Sequence, residues 1–110
     1  MKRKKEIDHL AGSGTVIFEN GTKIKVDYNL YVYQEYFTSR SGEPEIKGLY
    51  DLQGSINPID KSEYINPGDY FILRIEDDRE VKAYISKTSI GSNNYQIALN
   101  DGKDFFKVYD

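Results

Sequence analysis

The chain has 110 residues, with 18 acidic and 15 basic side chains for a net charge of −3, ten tyrosines, and neither cysteine nor tryptophan. That length supports one hydrophobic core without help from metal or crosslinks, and the lack of cysteine excludes disulfides, thiolate metal sites and cysteine catalysis. No apolar run approaches the roughly 18 residues of a membrane-spanning helix, and no apolar stretch follows the basic N-terminus as in a secretory signal, so a cytoplasmic protein with no membrane partner is expected.

Residues 1–13 lack strand alternation. A short helix over 2–10 is compatible with the residues, ended by Gly12-Ser13-Gly14. The expectation is a flexible basic N-terminal tail over 1–13, ahead of a single β-barrel domain over 14–110. Lys2, Arg3, Lys4 and Lys5 form a candidate charged arm, and without them the chain carries about −7. That balance disfavours an extended basic surface for nucleic acid on the body.

Residues 14–26 read as a β-hairpin. A two-residue turn at Asn20-Gly21 would place Ile17 opposite Ile24. A three-residue loop, Glu19-Asn20-Gly21 with Gly21 left-handed in a bulge, places Phe18 opposite Thr22 and Val16 opposite Ile24. The second register collects Val16, Phe18, Ile24 and Val26 on one face, so the hydrophobic pattern selects it.

The next strand is the longest alternating run. Ile24, Val26, Tyr28, Leu30 and Val32 fall on one side; Lys23, Lys25, Asp27, Asn29, Tyr31 and Tyr33 fall on the other. A two-residue period sustained that far belongs to a strand and not to a helix. Its length exceeds a typical strand, so it is expected to bend and to pair with different neighbours at its two ends. Residues 38–44 are a loop by composition. A further strand is read over 45–56, interrupted by Gly48 and Gly54, which mark a bulge or a close backbone approach. A long connection follows, in which Asn66-Pro67-Gly68-Asp69 suits a type II turn and Ile59, Tyr64 and Ile65 pin the segment to the body.

The same register test applies to two more hairpins. Around Glu76-Asp77-Asp78 it pairs Ile75 with Arg79, Leu73 with Val81 and Phe71 with Ala83, and on the other face Arg74 with Glu80 and Tyr70 with Tyr84. Asp78 stands where the first hairpin has glycine. Around Asn100-Asp101-Gly102 the test pairs Leu99 with Lys103 and Ile97 with Phe105, making 103–108 a seventh strand. A loop is read over 87–93. The fold class is therefore all-β: a small antiparallel, partly open β-barrel of six to seven strands built from hairpins, with a two-sheet β-sandwich as the alternative.

Chemistry has little to rest on. His9 is the lone histidine, which gives no nucleophilic triad a firm base. The Asp-rich turns lack the acidic spacing of a calcium loop, and turns favour Asp, Asn and Gly for backbone reasons alone. Gly12-Ser13-Gly14 precedes a strand, so it lacks the helix N-terminus that holds phosphate. No catalytic residue, metal site or cofactor is assigned.

The tyrosines carry the functional expectation. Tyr31 and Tyr33 lie on the face of the long strand opposite its apolar side, Tyr36 and Phe37 follow at the entrance to the loop, and Tyr70 and Tyr84 pair on the second hairpin. Aromatic side chains on a β surface can anchor a protein interface or stack on bases. A non-catalytic protein-binding or self-assembly module is expected, its partner another protein or a second copy as a homodimer. The alternative is a single-stranded nucleic-acid-binding barrel using Lys2–Lys5 and the tyrosines. A carboxylate-based enzyme comes third.

Overall fold

The computed structural model describes residues 2–38, 45–88, 94–101 and 104–110. Six strands follow in order: β1 (Lys2–Phe18), β2 (Lys23–Phe37), β3 (Ile46–Pro58), β4 (Tyr70–Arg74), β5 (Glu80–Thr88) and β6 (Tyr95–Asp101), then a 3₁₀ helix over Phe105–Tyr109. All pairings are antiparallel. Neighbours bond in the order β1-β2-β3-β6-β5-β4, and β4 returns to β1, so one sheet closes into a ring of hydrogen bonds. The expected all-β barrel class holds; the two-sheet alternative does not.

The ring is uneven. β1 pairs with β2 from Lys2 to Ile17 but with β4 only over residues 15–18. β3 pairs with β2 from Ile46 to Pro58 but with β6 only over residues 53–56. Three strands therefore continue past the ring as a ribbon, which accounts for dimensions of 55 × 29 × 22 Å. The long β2 does not change neighbours between its ends, contrary to expectation. It keeps β1 on one edge and β3 on the other, and it is β1 and β3 whose outer edges change surroundings.

Residues 2–13, expected as a tail with a helical stretch, belong to strand β1. Alternation is missing there because both faces of the ribbon meet solvent at Lys2–Ile7, so no burial imposes a period. The backbone pairs with β2 regardless. Gly12-Ser13-Gly14 is strand too: a Cβ on Gly14 would lie 2.4 Å from the Arg74 carbonyl, so glycine is what lets β1 approach the end of β4.

The first two hairpins take the bulged register. Val16 sits opposite Ile24, the Phe18 amide donates to the Thr22 carbonyl at 2.9 Å, and Gly21 has φ 87°. Leu73 faces Val81 and Phe71 faces Ala83, while the Ile75 amide donates to the Arg79 carbonyl at 3.0 Å. Asp78 adopts φ 70°, a left-handed conformation that disfavours non-glycine residues. On the outer side Arg74 pairs with Glu80 at 2.6 Å, and the Tyr70 and Tyr84 rings meet edge-on at 5.6 Å. The type II turn holds as well, with Gly68 at φ 94° and the Asp69 amide donating to Asn66.

The third hairpin is different. Ile97 faces Ile85 and Leu99 faces Ala83, so β6 pairs back onto β5 and not forward onto a seventh strand. Asp101 is the last residue of β6, facing Lys82; Gly102 and Lys103 of the expected turn lie outside the described residues, as do 39–44 and 89–93 of the two other loops. Phe105 and Phe106 are both buried in the helix that replaces the seventh strand. Consecutive residues of a strand point to opposite faces, so two adjacent buried phenylalanines on a one-sided sheet favour the helical turn.

The core is the alternating face of β2 (Ile24, Val26, Tyr28, Leu30 and Val32) closed by Val16, Leu73, Val81 and Ile97, with Phe105 and Phe106 filling one end. Ile65 is buried and anchors the long connection as expected, whereas Ile59 and Tyr64 are exposed.

Candidate interaction surfaces

Register assigns the ribbon side chains to two faces. Lys2, Lys4 and Glu6 share one face with Phe37, Glu35 and Tyr33 of β2, and with Ile46 and Asp51 of β3. Arg3 and Lys5 share the other with Tyr36 and Gln34, and with Lys47 and Tyr50. The basic arm is thus the outermost part of β1, spread over both faces.

Its charge is largely compensated. Lys2 pairs with Glu35 at 3.2 Å, Arg3 with Glu45 at 2.6 Å and Lys4 with Asp51 at 2.8 Å. Exposed pairs of this kind add little stability, but each removes a cation from the field that a phosphate would meet. The hydrogen bond and charge of Asp51 hold the Lys4 ammonium above its ordinary value. Burial pulls the Asp51 carboxyl upward, yet hydrogen bonds from Lys4, Gln53 and the Leu52 amide outweigh it and leave it below the usual carboxylate value.

At the tip the ribbon is irregular. Gln34 faces Tyr50 and Tyr36 faces Lys47, so β3 carries one extra residue in this step. Gln34, 2% exposed, is the buried polar side chain among the described residues. Its Nε2 donates to the Gly48 carbonyl at 2.8 Å and to the Glu35 carbonyl at 3.2 Å, satisfying backbone groups that the bulge takes out of the ladder. In this bulge stands Leu49 at 76% exposure, and beyond it Phe37 at 42% and Ile46 at 67%. Phe37 and Ile46 are directly opposite one another. Three large apolar side chains are thus exposed at this extremity, where Lys2 stands opposite Phe37 and Glu45, paired with Arg3, precedes Ile46.

The predicted aromatic residues do not form one patch. Tyr31 and Tyr33 line an open groove of ≈ 690 Å³ with Gln53, Ser55 and Gln96. Tyr31 stacks on His9 with centroids 4.4 Å apart and rings within 3° of parallel, and its hydroxyl accepts from Asn29 Nδ2 at 3.3 Å. Tyr36 is half-buried near the tip, opposite Arg3 and Lys47, and Phe37 belongs to the tip itself. Tyr70 and Tyr84 stand on β4 and β5, separated from β2 by β1 on one way round the ring and by β3 and β6 on the other.

Sequence reasoning named Phe37 and a bulge or close approach at Gly48, but missed Ile46, Leu49 and the supporting Gln34. The signal was present: Ile46 and Leu49 are three residues apart while Tyr50 and Leu52 are two apart, and a break in alternation at Gly48-Leu49 marks a bulge. It also missed the clasp at the inner face. Arg79 lies 4.5 Å over the Phe105 ring, donates to the Tyr109 hydroxyl at 3.1 Å, and that hydroxyl donates to Asp8 at 2.7 Å. This clasp ties the second hairpin, the 3₁₀ helix and β1 together. Burial, partly offset by the Arg79 hydrogen bond, raises the Tyr109 phenol above its ordinary value.

No family model, curated protein or solved structure matches the chain. Among the described residues, no helix is long and apolar enough to cross a membrane.

Proposed function

We propose that the protein is a non-catalytic binding module that contacts another protein, or a second copy of itself, through the end of its projecting ribbon. The observation that carries this reading is the exposure of Phe37, Ile46 and Leu49 together at the ribbon tip. Clustered large apolar side chains inside a charged rim have the make-up of an interface centre, where aromatic and aliphatic anchors are desolvated and ion pairs stay at the edge.

The contact is face-on and not by strand addition. The free edge of β1 carries Lys2–Glu6 and a bulge at Ile7, and the free edge of β3 is bulged at Gly48-Leu49. Charges and bulges on edge strands oppose docking of another strand. Pairing of Lys2, Arg3 and Lys4 with carboxylates favours a protein partner over a nucleic acid.

The test compares wild type with an Ile46→Lys, Leu49→Lys variant by mass measurement across a micromolar series, and by affinity capture from the source cells. Loss of a self-associated species, or of a reproducible captured protein, in the variant supports the reading. A wild-type monomer whose captured proteins are unchanged in the variant removes it. Binding of the wild type to mixed oligonucleotides at low salt, weakened by Lys2→Ala and Lys4→Ala, would replace it with the nucleic-acid reading.

A further inference from the structure

At the end of β1 opposite the ribbon tip, two turns legible in the sequence come together. The hairpin loop Glu19-Asn20-Gly21 and the Asn66–Asp69 turn line one pocket of ≈ 510 Å³, within the size range of small-ligand sites. Phe18, Tyr64 and Tyr70 supply its aromatic surface, and Glu19 and Asp69 its charge. Among the described residues no lysine or arginine lines it, and neither carboxylate takes part in an ion pair.

Each of these aromatic rings contacts another ring. Phe18 meets Phe71 edge-on at 6.3 Å, Tyr64 meets buried Tyr95 at 6.4 Å, and Tyr70 meets Tyr84 at 5.6 Å. Tyr64 nevertheless keeps 66% of its surface exposed. Its position is fixed through buried Ile65, whose amide donates to the Tyr95 hydroxyl. Lys82 lies 5.9 Å from the Tyr70 ring without lining the pocket, so Tyr64 and Phe18 are the rings with no cation of the chain over them among the described residues.

We infer that this pocket binds an alkylated ammonium group. Aromatic faces are negative and apolar, and they attract a cation whose charge is spread over methyl groups more readily than a compact, strongly hydrated one. Two unpaired carboxylates add attraction of the same sign. A metal ion is a poorer match, because it requires several converging oxygen ligands, and no group of three or more acidic or histidine side chains suited to a metal is found among the described residues. The group can belong to a free amine or to an alkylated lysine of a peptide; the chemistry recognised is the same.

The test is a ¹H–¹⁵N NMR titration with choline chloride, with a short peptide bearing trimethyl-lysine, and with 3,3-dimethylbutan-1-ol, the neutral isostere of choline. Amides of residues 18–22 and 64–70 should shift with one or both cations, at least roughly tenfold more tightly than with the isostere. Tyr64→Ala should weaken the cation by roughly tenfold while Tyr64→Phe retains it, and Glu19→Gln with Asp69→Asn should weaken it and reduce its salt dependence. Choline binding assigns a free amine, and peptide binding alone assigns a modified lysine. The absence of shifts with either cation at 20 mM, equal affinity for the isostere, or shifts confined to other residues would overturn the inference. So would preferential binding of a neutral hexasaccharide.

Discussion

Replacing Gln34 with leucine tests how the ribbon is held. The substitution keeps nearly the same volume, so it opens no cavity, but it removes the Nε2 donor that reaches the Gly48 carbonyl at 2.8 Å. Gln34 is 2% exposed, so water cannot replace the lost donor without rearrangement. Losing a net hydrogen bond and stranding a carbonyl costs about 1–3 kcal/mol. For a chain of this size that corresponds to a fall of about 4–13 °C in midpoint temperature. Urea unfolding monitored by circular dichroism measures it, and amide exchange should quicken first at Tyr36 and Lys47. Gln53→Leu, at an exposed site bonded to Asp51 at 3.3 Å, serves as the control and should change stability by less than about 0.5 kcal/mol. A Gln34→Leu protein as stable as wild type, with unaltered exchange at the tip, would refute the claim that this side chain secures the bulge.

Unfolding by urea reads two further sets of substitutions, and carboxyl titration a third. Asp78→Gly should stabilise the protein by about 0.5–1 kcal/mol, because Asp78 is held at φ 70°; a loss of stability would mean that the side chain makes a compensating interaction. Phe105→Ala and Phe106→Ala should each cost about 3–5 kcal/mol, and exposed Val108→Ala less than about 0.5 kcal/mol. A tolerant Phe106 beside a sensitive Phe105 would restore the alternating strand. Because the folded Asp51 carboxyl lies below its ordinary value, its contribution is complete above the unfolded pKa near 3.9 and is lost as pH falls through the lower folded value. Carboxyl ¹³C titration should show this midpoint moving up in Lys4→Met; an unmoved midpoint would separate Asp51 from Lys4.

Where one face is buried, the sequence was legible to the level of register. Val16 opposite Ile24 and Leu73 opposite Val81 follow from alternation, because a one-residue slip would expose the core face. In the ribbon that constraint vanishes: residues 2–7 are exposed whichever register they adopt, so their strand is dictated by backbone pairing with β2, which composition does not record. The misread third hairpin has another cause. Asn100-Asp101-Gly102 resembles a turn locally, but burial of both Phe105 and Phe106 is satisfied only by closing the end of the barrel, a tertiary demand that overrides the local signal. Tyr31 and Tyr33 alternate with the core face of β2 as their spacing implies, whereas Tyr36 falls in phase with buried Val32 and Gln34; how the aromatic residues divide among groove, tip and far wall depends on the strand order, which hairpin patterns leave open.

Photocrosslinking from the ribbon tip tests the central claim most directly. A benzoylphenylalanine at Leu49 should yield one discrete covalent product, a dimer or a single heterologous adduct, while the same residue at exposed Glu80 should yield none at equal concentration. Equal products from both positions, or products from Glu80 alone, would contradict the assignment of the ribbon tip as the contact surface.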